Sequence, residues 1–329
     1  MATPIPAPLT PAFGEPVEAE VLTETRRFNA LIERMLASAP SVETLPPALV
    51  RRARVEGRGP FPPPIYLPQA RDLRIPSRGG DLRLRVIAPA GAVKGVYLHF
   101  HGGGWTLGDA DLQDRALAAL ADATGLCAVS VGYRLSPEHP YPAAPDDCED
   151  AARWLLEHGA RELDAPERFT IGGESAGGHL AAVTLLRLRD RHGIRGAFRA
   201  ANLVYGAFDL SRTPSSRLWG ARNLMLSDAI VRFFGECFVP GANAEALRAP
   251  DVSPLYADLR DMPPALFTIG TLDPLLDDSL FMEARWRAAG ARTELRVWPE
   301  GIHGFTEFPL ALARAANAAQ LAFLAAAVD

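Results

Sequence analysis

One serine stands among glycines where an apolar run gives way to a helix-like one, FTIGGESAGGHLAAVTLL, residues 169–186. A serine hydroxyl attacks a carbonyl only when a base removes its proton. GESAG at 173–177 fits G-x-S-x-G, a weak signal as a string and a stronger one at a strand-to-helix corner. There the small neighbours relieve crowding, and the hydroxyl of Ser175 is exposed at the end of the strand. In such corners the partners follow in chain order as serine, acid, histidine. Of the seven histidines only His179, His192 and His303 come after Ser175. His179 lies one turn into the same helix, and His192 belongs to the polar helix end RLRDRHG. His303 sits between glycines in PEGIHGF, just after a strand-like run, and is the expected base. The acid is expected at Asp273, which follows the run PALFTIGT and precedes a proline. Asp277 and Asp278 are the alternatives, placed where acids suit the first turn of a helix.

Hydroxyl attack on a carbonyl also leaves a negatively charged oxygen that needs donors. HFHGGGWTLGD, residues 99–109, carries three consecutive glycines after an apolar strand. Such a loop lets backbone N–H groups approach a ligand closely. A phosphate cradle would want a lysine followed by serine or threonine, which the stretch lacks. The N–H groups of Gly103 and Gly104 are therefore the expected oxyanion donors, with that of Ala176 as the third. His101 is expected to fix the loop by hydrogen bonds, and His99 to be a satisfied core residue.

These residues need a scaffold, and the apolar pattern supplies one. Strand-like runs at 72–76, 81–89, 95–101, 127–133, 169–174, 200–206, 264–271 and 293–299 are read from the sequence. The first two flank Ser-Arg-Gly-Gly and predict a hairpin. The later ones alternate with helix-like stretches near 109–123, 146–159, 176–192, 275–289 and 310–327. Continuous apolar strands between helices predict an α/β protein with a mostly parallel sheet covered on both faces. One amphipathic helix is expected from Glu15 to about Ser38 and a short one over 48–55. RGPFPPPIYLP, 58–68, is too rich in proline for either element and reads as a linker. The interval between 206 and 264 is too long for a simple crossover. It holds SDAIVRFFGECF, with Phe233, Phe234 and Phe238 near one face. Residues 1–58 and 207–250 are thus expected to form a helical cap over a core made of 59–206 and 251–329. Trp105, Glu174, Phe233 and Phe234 are the candidates for the substrate pocket.

Composition narrows the function. With a formal net charge of −5 the chain shows no basic footprint for nucleic acid. No apolar run approaches a membrane span. The opening MATPIPAPLTPAFGEP lacks a basic, apolar leader and reads as a loose tail. Three widely spaced cysteines suggest neither a disulfide framework nor a metal site and fit a reducing, cytoplasmic compartment. Cys127 is expected in the core. Arg51-Arg52-Arg54 and Arg187-Arg189-Arg191 read as solvated helix faces.

Together HGGGW (101–105), YRLSPEHPYPAAPDD (133–147), GESAGG (173–178), DVSPLYADL (251–259), LDPLLDD (272–278) and HGF (303–305) resemble the hormone-sensitive-lipase-like carboxylesterases, the bacterial family IV branch of the α/β-hydrolases. The likeness spans about residues 70–329. It implies an eight-stranded sheet with one antiparallel strand and a helical cap. It also implies cofactor-free hydrolysis of short- to medium-chain esters, small-molecule substrates, and a homodimer as a frequent assembly. Glu174 stands where many relatives have Asp, which retains the carboxylate. Two other readings use the same residues. One is an amidase, formamidase or arylacetamide-deacetylase-like hydrolase. The other is a small-molecule receptor; the gibberellin receptors resemble this family and have lost the catalytic histidine, whereas His303 is present here.

Overall fold

The computed structural model describes residues 15–329, so residues 1–14 of the proline-rich opening lie outside the described residues. From Glu15 the chain is tied down, its N–H donating to the Val297 carbonyl at 2.8 Å.

Eight strands form one sheet: β1 (Arg71–Ser77), β2 (Gly80–Ile87), β3 (Gly95–Phe100), β4 (Leu126–Gly132), β5 (Phe169–Glu174), β6 (Phe198–Val204), β7 (Ala265–Leu272) and β8 (Thr293–Ile302). Their order is β1-β2-β4-β3-β5-β6-β7-β8. Only β2 runs against its neighbours; the pairs from β4 through β8 are parallel. The expected hairpin closes with Ser77 opposite Gly80.

The helices are α1 (Ala19–Ala37), α2 (Pro47–Val55), α3 (Asp114–Thr124), α4 (Ala143–Trp154), α5 (Ala160–Glu162), α6 (Ala176–His192), α7 (Pro214–Leu218), α8 (Asp228–Phe238), α9 (Ala244–Leu247), α10 (Leu276–Ala288) and α11 (Ala311–Ala326). Side-chain alternation sorts them onto the two faces of the sheet. On β3, Val96, Leu98 and Phe100 join the core under α4, α6 and α10, with Cys148, Leu180 and Trp286. Tyr97 points the other way, into the layer of Leu117 from α3 and Phe323 and Leu324 from α11. Cys127 is buried, as its apolar run predicts. α1 leans on β8 and α11 through Phe28 and Ile32. α7, α8 and α9 all lie between β6 and β7.

Two expectations need correction. α3 starts at Asp114 rather than 109, because Asp109 turns its own carboxylate onto the Ala110 N–H at 2.7 Å. That local bond competes with helix formation. The arginine groups are solvated only in part: Arg52 and Arg191 are exposed, and other members are not. Arg187 is 2% exposed and pairs with Asp146, Glu149 and Asp251. Arg189 is buried and donates to the carbonyls of Asp258 and Arg260. Arg51 donates to those of Thr106 and Ser136 and pairs with Glu138.

Candidate active site

Ser175 is the single residue between β5 and α6, with φ 57° and ψ −116°. Its N–H is held by the Val204 carbonyl of β6 at 2.9 Å, which locks the corner. Gly173 and Gly177 bracket the serine because a Cβ on either would run into the Phe100 carbonyl of β3. The small-residue pattern is thus a backbone-to-backbone contact, not just a flexible turn.

His303 follows β8 between Ile302 and Gly304, whose φ of 75° turns the chain. Its Nε2 accepts from the Ser175 hydroxyl at 2.9 Å. Its Nδ1 donates to Asp273 Oδ2 at 2.8 Å. Asp273 lies just past β7, and its other oxygen accepts the Leu275 N–H at 2.9 Å. Asp273 is 1% exposed and His303 7%. Asp277 and Asp278 face elsewhere. Asp277 accepts the Ser215 N–H at 2.7 Å, and Asp278 accepts the N–H groups of Phe208 and Asp209 and the Thr213 hydroxyl.

The glycine loop packs directly on this corner. Gly102 lies against the Glu174 carbonyl and the Ser175 side chain. Gly103 and Gly104 have φ of 114° and 59°, a region that side chains other than glycine's disfavour. A Cβ at Gly104 would enter the ring of Phe234, and one at Gly103 would strike the Leu107 carbonyl. The loop is further held by the Thr106 and Leu107 N–H groups, which both donate to the Gly103 carbonyl.

Gly104, Ser175 and Ala176 open onto one cavity of about 250 Å³. Trp105, Leu226, Val231, Phe234, Val239 and Leu275 give it a largely apolar wall. Two of the pocket candidates are therefore lining residues and two are not. Phe233 packs its ring 5.5 Å from that of Phe234, outside the lining. Glu174 turns away, accepting from His99 Nε2 at 2.9 Å and from Gln113 Nε2 at 3.4 Å. The reason is the corner itself: alternation along β5 sends Glu174 and Ser175 to different sides.

Three other histidines, His99, His101 and His179, are held in place by neighbours. His99 bridges Glu174 and the Ser130 hydroxyl. His101 donates from Nδ1 to the Gly102 carbonyl at 2.8 Å and stacks on Tyr133. Burial pushes its pKa down to about 4. His179 accepts from the Trp105 indole and donates to the Val252 carbonyl, and burial lowers it to about 4 as well. His101 and His179 are therefore neutral imidazoles that brace the loop and α6. The sequence reading overlooked Leu226, Val231 and Leu275 in the cavity wall, and also Asp209, Arg212 and Ser216. Nothing local in their sequence marks them: the chain between β6 and α8 brings in Asp209, Arg212, Ser216 and Leu226, α8 brings in Val231, and the start of α10 brings in Leu275.

Known proteins resemble this arrangement. The model of a family with the α/β-hydrolase fold matches residues 97–307. Carboxylesterase NlhH of Mycobacterium tuberculosis is 34% identical over 276 residues, 82% of this chain and 86% of that protein. An acetyl esterase of Salmonella schwarzengrund is 29% identical over 76% of this chain and 77% of its own. Among solved structures, an esterase of Pyrobaculum calidifontis superposes with a TM-score of 0.80 at 28% identity, covering 95% of this chain and 100% of that one. A thermostable esterase of Pseudomonas putida gives 0.82 at 26% identity, covering 92% and 97%. Among the described residues no helix is long and apolar enough to cross a membrane.

Proposed function

The chain belongs to the α/β-hydrolase fold family, and from that premise we propose that it is a serine carboxylesterase acting through Ser175, His303 and Asp273. The observation that carries the reading is the unbroken run of hydrogen bonds from buried Asp273 through His303 to the Ser175 hydroxyl, at 2.8 and 2.9 Å. Asp273 fixes the tautomer with the proton on Nδ1, which leaves Nε2 free to accept. His303 takes the Ser175 proton as the hydroxyl adds to the ester carbonyl. The oxygen of that carbonyl becomes negative and meets the N–H groups of Gly103, Gly104 and Ala176. His303 then passes its proton to the leaving alkoxide oxygen, and the C–O bond breaks. Water repeats the sequence on the acyl-enzyme and restores the serine.

The leaving alcohol must depart and water must enter while the acyl group stays bonded to Ser175. The apolar cavity beside the serine therefore suits the acyl group. Its volume of about 250 Å³ and apolar wall favour short to medium chains. Residues 15–58 and 207–250 serve as the cap, with α8 forming a side of the cavity.

The test is hydrolysis of p-nitrophenyl acetate, butyrate, octanoate and palmitate by wild type and Ser175→Ala. The expected result is a rate that peaks at a short or medium chain and is lost in the variant. Turnover that survives Ser175→Ala, or none on any ester by folded wild type, overturns the reading. A matched anilide beside the best ester then separates esters from amides.

A further inference from the structure

The wall of the cavity beside Ser175 is largely apolar, with polar groups brought in by α7 and the turn before it and, from α8, by Arg232 and Glu236. Ser216, in α7, lines the cavity and is 1% exposed, and its hydroxyl has no hydrogen-bond partner among the described residues. Arg212 lines the same cavity, and its buried Nε has no partner among the described residues either. Its Nη2 is engaged, pairing with Asp228 and donating to the Ser216 carbonyl at 3.2 Å. A buried polar group left unpaired costs stability, so two in one cavity wall ask for an explanation. The backbone offers a second sign. Arg212 has φ 76°, a strained conformation for a long side chain, at the end of the turn closed by its N–H to the Asp209 carbonyl at 3.0 Å. Backbone strain at a residue that lines a cavity points toward function.

We propose that Ser216 Oγ and Arg212 Nε form a polar subsite for a neutral, hydrogen-bond-accepting oxygen carried on the acyl chain of the ester. This rests on the esterase reading above. Both free groups donate, so the ligand atom must accept. A carbonyl, hydroxyl or ether oxygen meets that need. A carboxylate would not suit the site. Asp209 and Glu236 also line the cavity, and both positive charges in its wall are already paired, since Asp228 takes Arg212 and Arg232. Asp209 accepts from Ser211 and the Tyr256 hydroxyl, and no hydrogen bond joins it to Ser216 among the described residues. Preferred substrates are accordingly esters of keto, hydroxy or alkoxy acids.

The experiment compares p-nitrophenyl pentanoate and hexanoate with 4-oxopentanoate and 5-oxohexanoate, in which one methylene becomes a carbonyl. Wild type is expected to favour at least one oxo ester by about fivefold or more in kcat/KM, chiefly through KM, the worth of about one hydrogen bond. Ser216→Ala, and Arg212→Lys, which keeps the charge facing Asp228, should each bring that ratio toward unity. A wild-type ratio at or below one for both pairs, as two water-filled donors would give, overturns the proposal. So does a ratio that survives both substitutions, or a preference for the p-nitrophenyl monoester of pentanedioic acid. Calorimetric titration of Ser175→Ala with methyl 4-oxopentanoate and methyl pentanoate reads the subsite without turnover. Tighter binding of the oxo ester, lost when Ser216→Ala is added, supports the subsite even if another residue proves to be the nucleophile; equal binding overturns it.

Discussion

At Ser175 the backbone holds φ 57° and ψ −116°, a conformation that costs a serine about 1–3 kcal/mol and that glycine adopts freely. The cost is sustained by the Val204 bond and by packing against β3, and it presents the hydroxyl to His303. Ser175→Gly should therefore abolish ester turnover and yet raise stability by about 1 kcal/mol, strain relief outweighing the extra freedom of unfolded glycine. Urea midpoints of the two proteins check this; a destabilised variant would show that the corner is not strained. This residue was legible in the sequence because its signal is local, a serine among glycines between a strand and a helix. The same holds for the glycine loop. Glu174 was misjudged as a pocket residue because its partners, His99 and Gln113, are supplied by distant segments that only the sheet order brings near.

Among the elements, the strands were read nearly to the residue, since unbroken apolar runs between helices admit little else. The short α7 and α9 were not, because five and four residues are too few to show a period. Nor was the role of Asp278, read as a helix-dipole acid. It is 0% exposed and anchors the chain leaving β6 through the N–H groups of Phe208 and Asp209, at 2.7 and 2.8 Å, and the Thr213 hydroxyl. Asp278→Ala leaves those donors buried without acceptors and should cost about 2–4 kcal/mol. Asp278→Asn keeps an acceptor for both N–H groups, and the Thr213 hydroxyl can turn to accept, so its cost at neutral pH should be small. Burial, despite the donated bonds, pushes the Asp278 carboxyl up to about 7. The folded protein then holds a proton that the unfolded chain releases near pH 4, so this group's contribution is greatest below about pH 4 and falls as the pH rises toward 7. Thermal midpoints across that range should show the decline in wild type and a flatter profile in Asp278→Asn. Parallel profiles would remove Asp278 from the account.

For the whole molecule, the unread feature is the ionic centre that joins α4, α6 and the chain returning from α9 toward β7. Three arginines at alternate positions near the end of a helix look like a solvated face, because the acids that enclose them lie far away in sequence. Arg187 donates to Asp251 through Nε at 2.7 Å and Nη2 at 2.6 Å, and to Asp146 and Glu149 through Nη1. Arg191 joins Glu149 and Asp251 from the outer side, and Tyr141 donates to Asp251 at 2.6 Å. Removing one partner of a buried ion pair leaves uncompensated charge and typically costs about 3–5 kcal/mol. Arg187→Met should lose that much at pH 7, seen as a lower urea midpoint with an unchanged slope. The loss should also depend on pH. Burial opposes ionisation of Asp251, but its bonds and charge attraction to Arg187 outweigh this and hold its pKa below the usual range. A carboxylate with a depressed folded pKa stabilises the protein above its unfolded value and ceases to do so as the pH falls through the folded one. Wild type therefore forfeits this contribution in acid, while Arg187→Met has little of it to forfeit. The gap between the two midpoints should be widest at pH 7 and narrow below about pH 4. A gap that stays constant with pH would mean that Arg187 contributes through packing of its aliphatic stem rather than through charge. No gap at all would mean that the segment carrying Asp251 is held to α6 by its apolar neighbours alone.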